Sequence, residues 1–176
     1  MSPTEKKAGE ALLGLGGNLK DPPASMSAAL HLLQADDAID VVAVSRLYRT
    51  PPWGITDQNW FFNSCALVRT LLDPHELLDA CLLAERQLKR VRRKRWGPRI
   101  IDIDVLTFGD QVIQDEGLRV PHPHLHERAF VLLPLLDIAP DVLVHGKPVS
   151  HWADSVDATG IEIVSKDGEW WQEEAL

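Results

Sequence analysis

Two aspartates one residue apart, Asp102 and Asp104, stand in a stretch where Ile101, Ile103 and Val105 alternate with them. That is the period of a half-buried strand. The apolar side chains take one face and both carboxylates the other, ~7 Å apart. Like charges so placed repel, and a cation beside them relieves the repulsion. Immediately upstream the chain reads Arg95-Trp96-Gly97-Pro98-Arg99. A bare Asp-x-Asp is equally a solvated strand face. An always-charged arginine, a Gly-Pro break and a Trp-Arg pair beside it read instead as a metal-and-phosphate site at a loop-to-strand junction.

The charge distribution agrees. The net charge is −8, yet from Arg86 to Arg99 there are eight Lys or Arg residues and no acid, so the remainder carries ten cations against 26 anions. A basic island on an acidic body focuses its field on a small polyanion and repels long nucleic acid. A solvated helix end accounts for Lys89 and Arg90, but not for the arginines that follow. Cys65 and Cys81 sit among apolar residues and read as buried free thiols of a reducing compartment. No apolar h-region opens the chain and no apolar run reaches spanning length, so the expected location is the cytoplasm.

The elements that must position the aspartates follow in order. Residues 1–9 read as a disordered lead and 10–176 as one domain, long enough for a well-buried core. A strand from Ala11 to Leu15 runs into Gly16-Gly17-Asn18, read as a turn with positive φ. A helix over 24–35 turns Met26, Leu30 and Leu33 to one side. Ile39 to Tyr48 alternates as a strand, which Thr50-Pro51-Pro52-Trp53-Gly54 cannot continue. The loop over 50–61 has the composition of a binding wall. Phe62 to Leu71 is the next strand, antiparallel to its predecessor.

Asp73-Pro74-His75-Glu76 is a cap, a first-turn proline and an acid three residues on. The helix it opens buries Leu77, Leu78, Cys81, Leu82 and Leu88, with Glu85 inside the same stripe, where a carboxylate needs a partner. It either reaches an arginine at the stripe's edge or faces a polar ligand. Val112-Ile113 pairs briefly before Val120. His122, His124 and His126 alternate, but Pro121 and Pro123 break any strand that would align them for zinc. Phe130 to Ile138 is an apolar helix. A short helix near Trp152 and an edge hairpin of Ile161–Val164 with Trp170-Trp171 complete the chain. Strand, helix, strand, strand, helix, strand makes an α+β, ferredoxin-like antiparallel sheet with helices packed on one face, plus C-terminal appendages.

From Ala11 to about Pro140 the chain resembles the 6-hydroxymethyl-7,8-dihydropterin pyrophosphokinases of folate synthesis. The carriers are Gly16-Gly17-Asn18-Leu19, Tyr48-Arg49-Thr50-Pro51-Pro52-Trp53-Gly54, Phe61-Phe62-Asn63, Arg95-Trp96-Gly97-Pro98-Arg99 with Asp102-Ile103-Asp104, and Val120-Pro121-His122-Pro123. The resemblance implies transfer of diphosphate from ATP to the pterin's hydroxymethyl group. It makes Asp102 and Asp104 ligands of two Mg²⁺ ions and Arg90, Arg92, Arg95 and Arg99 the clamp on the triphosphate. Glu85, Trp96, His122 and Arg128 become nucleotide contacts. For the pterin it implies stacking on Phe130 and Phe61, Phe61 and Trp53 shaping the entrance, Asn63 at the ring's polar edge, and Trp96, Asp102 and Asp104 as further contacts. Main-chain groups of Thr50, Pro51 and Gly54 add hydrogen bonds. Gly17, Pro123, Leu82 and a basic loop one residue short depart from the pattern of some members.

The partners so implied are two small molecules, with no nucleic acid and no membrane, and the protein is expected to act as a monomer. Two rivals are a non-catalytic RNA-binding module of ferredoxin-like fold and a metal-free nucleotide sensor. The first requires stacking aromatics on adjacent central strands, where this chain offers Asp102 and Asp104. The stretch from Arg90 to Gly97 repels itself until a polyanion arrives. Hydrogen exchange should therefore show it gaining protection when ATP and Mg²⁺ are added, and equal exchange in both states would count against closure over the nucleotide.

Overall fold

The computed structural model describes residues 8–52, 59–89 and 100–172. Its central strand, β1 (Gly9–Gly17), pairs antiparallel with β4 (Phe61–Thr70) on one side and β5 (Asp102–Phe108) on the other. Beyond β4 lie β2 (Ile39–Val44) and β3 (Tyr48–Thr50), both antiparallel to it. The expected single strand over 39–48 is thus two, broken at Ser45–Leu47. Pairing continues through the break, because Ser45 bonds Cys65 through main chain and hydroxyl alike. The late strand β10 (Glu162–Ile163) adds to the outer edge of β3, giving the order β10-β3-β4-β1-β5.

Helices α1 (Pro22–Gln34) and α2 (Pro74–Lys89) cover one face. Asp21 caps α1 by accepting from the Ala24 N–H at 3.2 Å. A reciprocal box opens α2: Glu76 N–H donates to Asp73 at 2.8 Å and Asp73 N–H to Glu76 at 3.0 Å, as the sequence signals. Met26, Leu30, Leu33, Leu77 and Cys81 meet Leu13, Leu15, Ile103 and Val105 here. Cys65 and Cys81 are free and buried, and burial lifts the Cys81 thiol to about 12.

The other face is not open. It carries α3 (Ala129–Ile138) and α4 (Val149–Ser155), whose apolar side chains enclose Leu12, Cys65 and Leu106. Helices therefore pack on both faces, and α3 is no appendage: apolar residues of either parity on the central strands require a cover on each side. The paired segments β6 (Ile113–Asp115) and β7 (Leu118–Val120) stand beside β5. A second small pair, β8 (Leu143–Val144) and β9 (Lys147–Pro148), precedes α4.

Three local expectations fail for tertiary reasons. Gly16 and Gly17 are strand residues paired to Asn63 and Phe62, not a turn, and the positive φ falls on Lys20 instead. Leu82 is 40% exposed, because the end of α2 overhangs a cleft. Trp170-Trp171 forms no hairpin with the β10 segment. Trp170 donates its indole N–H to the Ser45 carbonyl, and Trp171, 6% exposed, enters the α1-side core. There its carbonyl accepts from Ser27 Oγ at 2.5 Å and lies 3.0 Å from His31 Nε2.

The tail is thus a clasp on the core rather than a covering of its edge. Replacing Trp171 with Ala should cost ~3–5 kcal/mol, read as a drop in Tm on the order of 10 °C. An unchanged Tm would mean that the clasp does not hold the core.

Candidate active site

Residues sharing a sheet face repeat every second position. Leu12, Cys65 and Leu106 mark the α3 side, which places Gly14 and Gly16, Phe61 and Asn63, and Asp102 and Asp104 on it as well. The registers align these in two rows: Asn63, Gly16, Asp102 and Cys65, Gly14, Asp104. Asn63 thus faces the aspartate pair across a strand that offers only hydrogens. With strands ~4.8 Å apart, the amide and the carboxylates stand on opposite sides of a gap ~10 Å wide. Gly16 is required by this packing, since a Cβ there would lie 2.7 Å from Asn63 Nδ2. Gly16 was expected in a turn and Gly14 in the strand before it. Their alternation, Gly14-x-Gly16, is the signal that marks close approach within a strand.

Among the described residues, two buried side-chain oxygens at this end of the sheet, Thr50 Oγ1 and Asn18 Oδ1, have no hydrogen-bond partner. Buried polar groups are normally satisfied, so both fit a site that takes a polar ligand. Thr50 pairs in register with Phe61, itself 39% exposed. On the opposite side Phe130 opens α3, with the Arg128 guanidinium 5.7 Å from its ring centre.

Along the outer edge of β5 runs a cleft of about 610 Å³, lined by Glu85, Lys89, Asp102, Asp104, Arg119 and His122 among others. Glu85 accepts the Ile103 main-chain N–H at 3.0 Å. This is the partner its place in the apolar stripe demands. Burial pushes its carboxyl above the ordinary range; the Ile103 bond and Lys89 oppose the rise, and Asp102 and Asp104 add to it. His122 is held below the ordinary histidine range by burial, only partly offset by Asp104. Its Nδ1 accepts from the His124 N–H at 3.2 Å, so in the neutral ring the proton sits on Nε2, leaving that atom a donor. Lys89 and Arg119 were missed in the sequence because neither belongs to a motif.

Among the described residues no group of three or more His, Cys, Asp or Glu side chains is placed to hold a metal, and His126 packs instead edge-on to His145. The carboxylates of Asp102 and Asp104 suit Mg²⁺, which keeps several waters and completes its shell from substrate phosphates. Thr50, Pro51, Phe61, Asn63, Glu85, Asp102, Asp104, His122, Arg128 and Phe130 gather at this end of the molecule or along the β5 edge. Trp53, Gly54, Arg90, Arg92, Arg95, Trp96 and Arg99 lie outside the described residues.

Residues 12–140 match the family described as 7,8-dihydro-6-hydroxymethylpterin-pyrophosphokinase (HPPK). The chain is 50% identical over 154 residues to a Methylorubrum extorquens protein named 2-amino-4-hydroxy-6-hydroxymethyldihydropteridine pyrophosphokinase, covering 88% of this chain and 98% of that one. Proteins of the same name from Pseudomonas aeruginosa and Bacillus subtilis are each 42% identical, covering 85% and 75% of this chain and 93% and 79% of their own. Among solved structures, a wild-type Plasmodium falciparum HPPK-DHPS with STZ-DHP superimposes at TM-score 0.69 and 18% identity. It covers 86% of this chain and 44% of that one, so the chain spans less than half of that longer protein and shares its fold over that part.

Gly16→Ala isolates the role of the glycine row. The new methyl must displace the Asn63 amide, so ligand binding at that amide should weaken by about tenfold or more with little loss of Tm. Calorimetry against a pterin and thermal unfolding would check it; unaltered affinity would remove Asn63 from the site.

Proposed function

The chain belongs to the 7,8-dihydro-6-hydroxymethylpterin-pyrophosphokinase family, and from that premise we propose how its own residues carry the reaction. The enzyme transfers diphosphate from ATP to 6-hydroxymethyl-7,8-dihydropterin, releasing AMP, in folate biosynthesis. The observation that carries our reading of the site is the row Asn63, Gly16, Asp102: an amide and a carboxylate pair facing each other over a bare strand.

The pterin lies in that gap. Asn63 offers a donor and an acceptor to its amide-like edge, while Phe61 and Phe130 meet its faces. Stacking adds ~0.5–1.5 kcal/mol per aromatic contact but does not discriminate among flat rings. A ring that mismatches Asn63 leaves polar groups unpaired at ~1–3 kcal/mol each. Thr50 and Pro51 form the wall on that side, with Trp53, Gly54 and Trp96 assigned by the family pattern.

The nucleotide occupies the cleft along β5, its phosphates toward Asp102 and Asp104. These two aspartates would hold two Mg²⁺ ions, which would supply charge neutralisation at the phosphates. Arg90, Arg92, Arg95 and Arg99 embrace the triphosphate with planar forks, and Arg128 adds charge beside Phe130. His122 donates from Nε2 to a phosphate oxygen, and Glu85 contacts the nucleotide. The pterin's hydroxymethyl oxygen bonds to the β-phosphorus as the bridge to the α-phosphate breaks, so positioning and charge stabilisation are the whole task. We read the enzyme as a cytoplasmic monomer in which residues 10–176 form a single pyrophosphokinase domain; among the described residues no helix is long and apolar enough to cross a membrane.

Titration of the pterin with and without a non-hydrolysable ATP analogue and Mg²⁺ tests the arrangement. Wild-type protein should bind the pterin more tightly with both present. Asp104→Ala and Asp102→Ala should keep the fold and lose diphosphate transfer by on the order of 10³-fold or more, the scale of removing several kcal/mol of charge stabilisation. Near wild-type turnover in both variants at saturating Mg²⁺ would refute the metal assignment.

A further inference from the structure

The short connection between β2 and β3 carries a cluster that the reaction as described does not use. Asp137, near the end of α3, receives four hydrogen bonds from it. The Arg46 guanidinium donates at 2.9 and 3.1 Å, the Arg46 main-chain N–H at 3.0 Å and the Tyr48 hydroxyl at 2.9 Å. Arg46 also donates to the Tyr48 oxygen at 3.0 Å, its guanidinium 5.6 Å from that ring's centre. Tyr48 is 3% exposed and the Asp137 side chain 16%.

Each end of this cluster leads to the pterin gap. Tyr48 is the cross-strand partner of Asn63, so their side chains are neighbours on one face, Cβ to Cβ ~5 Å. Asp137 follows Phe130 by seven residues on the same helix, two full turns, which brings both to one line of α3 ~10 Å apart. The strand side of the gap and its helix side are thereby tied together through one carboxylate. A fork-shaped pair with a third donor fixes direction as well as distance. Among the described residues, the other links of α3 to the sheet are apolar contacts and a 3.7 Å approach of Cys65 Sγ to the Val131 carbonyl, which restrain sliding and rotation less.

We propose that Asp137 is a positioning residue: through Tyr48 and Arg46 it sets how far Phe130 stands from the sheet beside Asn63, and so the width of the pterin slot. The proposal rests on the assignment of that slot to the pterin. Burial, and then Asp137 itself, push the Tyr48 hydroxyl up to about 12, so it remains a donor throughout the working pH range. The nucleotide cleft lies on the far side of β1, along β5, and is not reached by the cluster.

The test is a split between the two substrates. In Asp137→Ala, and more mildly in Tyr48→Phe, KM and Kd for the pterin should rise about tenfold, the scale of one lost charge-assisted contact. KM for ATP should stay within about twofold. Asp137→Glu keeps the carboxylate and should recover part of the pterin affinity. Tyr48→Phe leaves the Arg46–Asp137 pair in place and keeps the question open to measurement if Asp137→Ala does not fold. Equal rises in both KM values, tracking a fall in Tm, would mean that the cluster only holds the fold, and an unchanged pterin KM in folded variants would equally overturn the proposal. Failure of the wild-type protein to bind pterin at all would instead strike at the slot assignment beneath it.

Discussion

The site depends on a backbone that can be approached. β1 is paired on both sides, so every side chain it bears must point to one core or the other. Toward the α3 side it places Leu12 at its buried end and glycines at positions 14 and 16, where the ligand groups converge. A Cβ at 14 would meet Leu106 at 3.4 Å, an ordinary contact, whereas one at 16 would meet the Asn63 amide at 2.7 Å. The absence of a single methyl therefore lets β4 and β5 present polar groups toward each other across a third strand. Glycine weakens a strand interior, and ladders on both sides of β1 offset the loss.

Around that floor the two faces of the sheet divide the work. The α1–α2 side is a conventional core, extended by Trp171 from far along the chain. The α3 side is half core and half site: Leu132 and Leu135 close one end, while Phe130 and Arg128 reach the end where the glycines lie. Electrostatics follow the same division. Glu85 and His122, both half-buried beside the aspartates, are displaced in opposite senses from their ordinary pKa values, in each case toward the neutral form. Burial here penalises charge until ligands arrive to share it.

Much of this was legible in the sequence where the cause is local. The capping box at Asp73 and Glu76, the alternation of Ile101, Ile103 and Val105, and the odd carboxylate of Glu85 within an apolar stripe each carry their meaning within a few residues. What could not be read was set by neighbours distant in sequence. Gly16-Gly17 has the composition of a turn and becomes strand only because β4, and at Gly16 also β5, pair with it. Leu82 fits the stripe of its helix but lines the cleft beside β5 instead of entering the core. The pair Trp170-Trp171 looks like strand, and its burial depends on a hole beside Ser27 and His31 that only the folded α1 defines.

The pairing of β3 with β10 joins residues 48–49 to residues 162–163, and this has a bearing on how the chain is made. During synthesis β3, already joined to β4, presents its outer edge for as long as the intervening hundred-odd residues are still emerging. Such an edge is a template for pairing with another chain. Here it is only three residues long and bears Arg49, two features that make a poor template. The nascent protein can thus hold this edge half-built without inviting a foreign strand, until its own later segment arrives to extend the sheet.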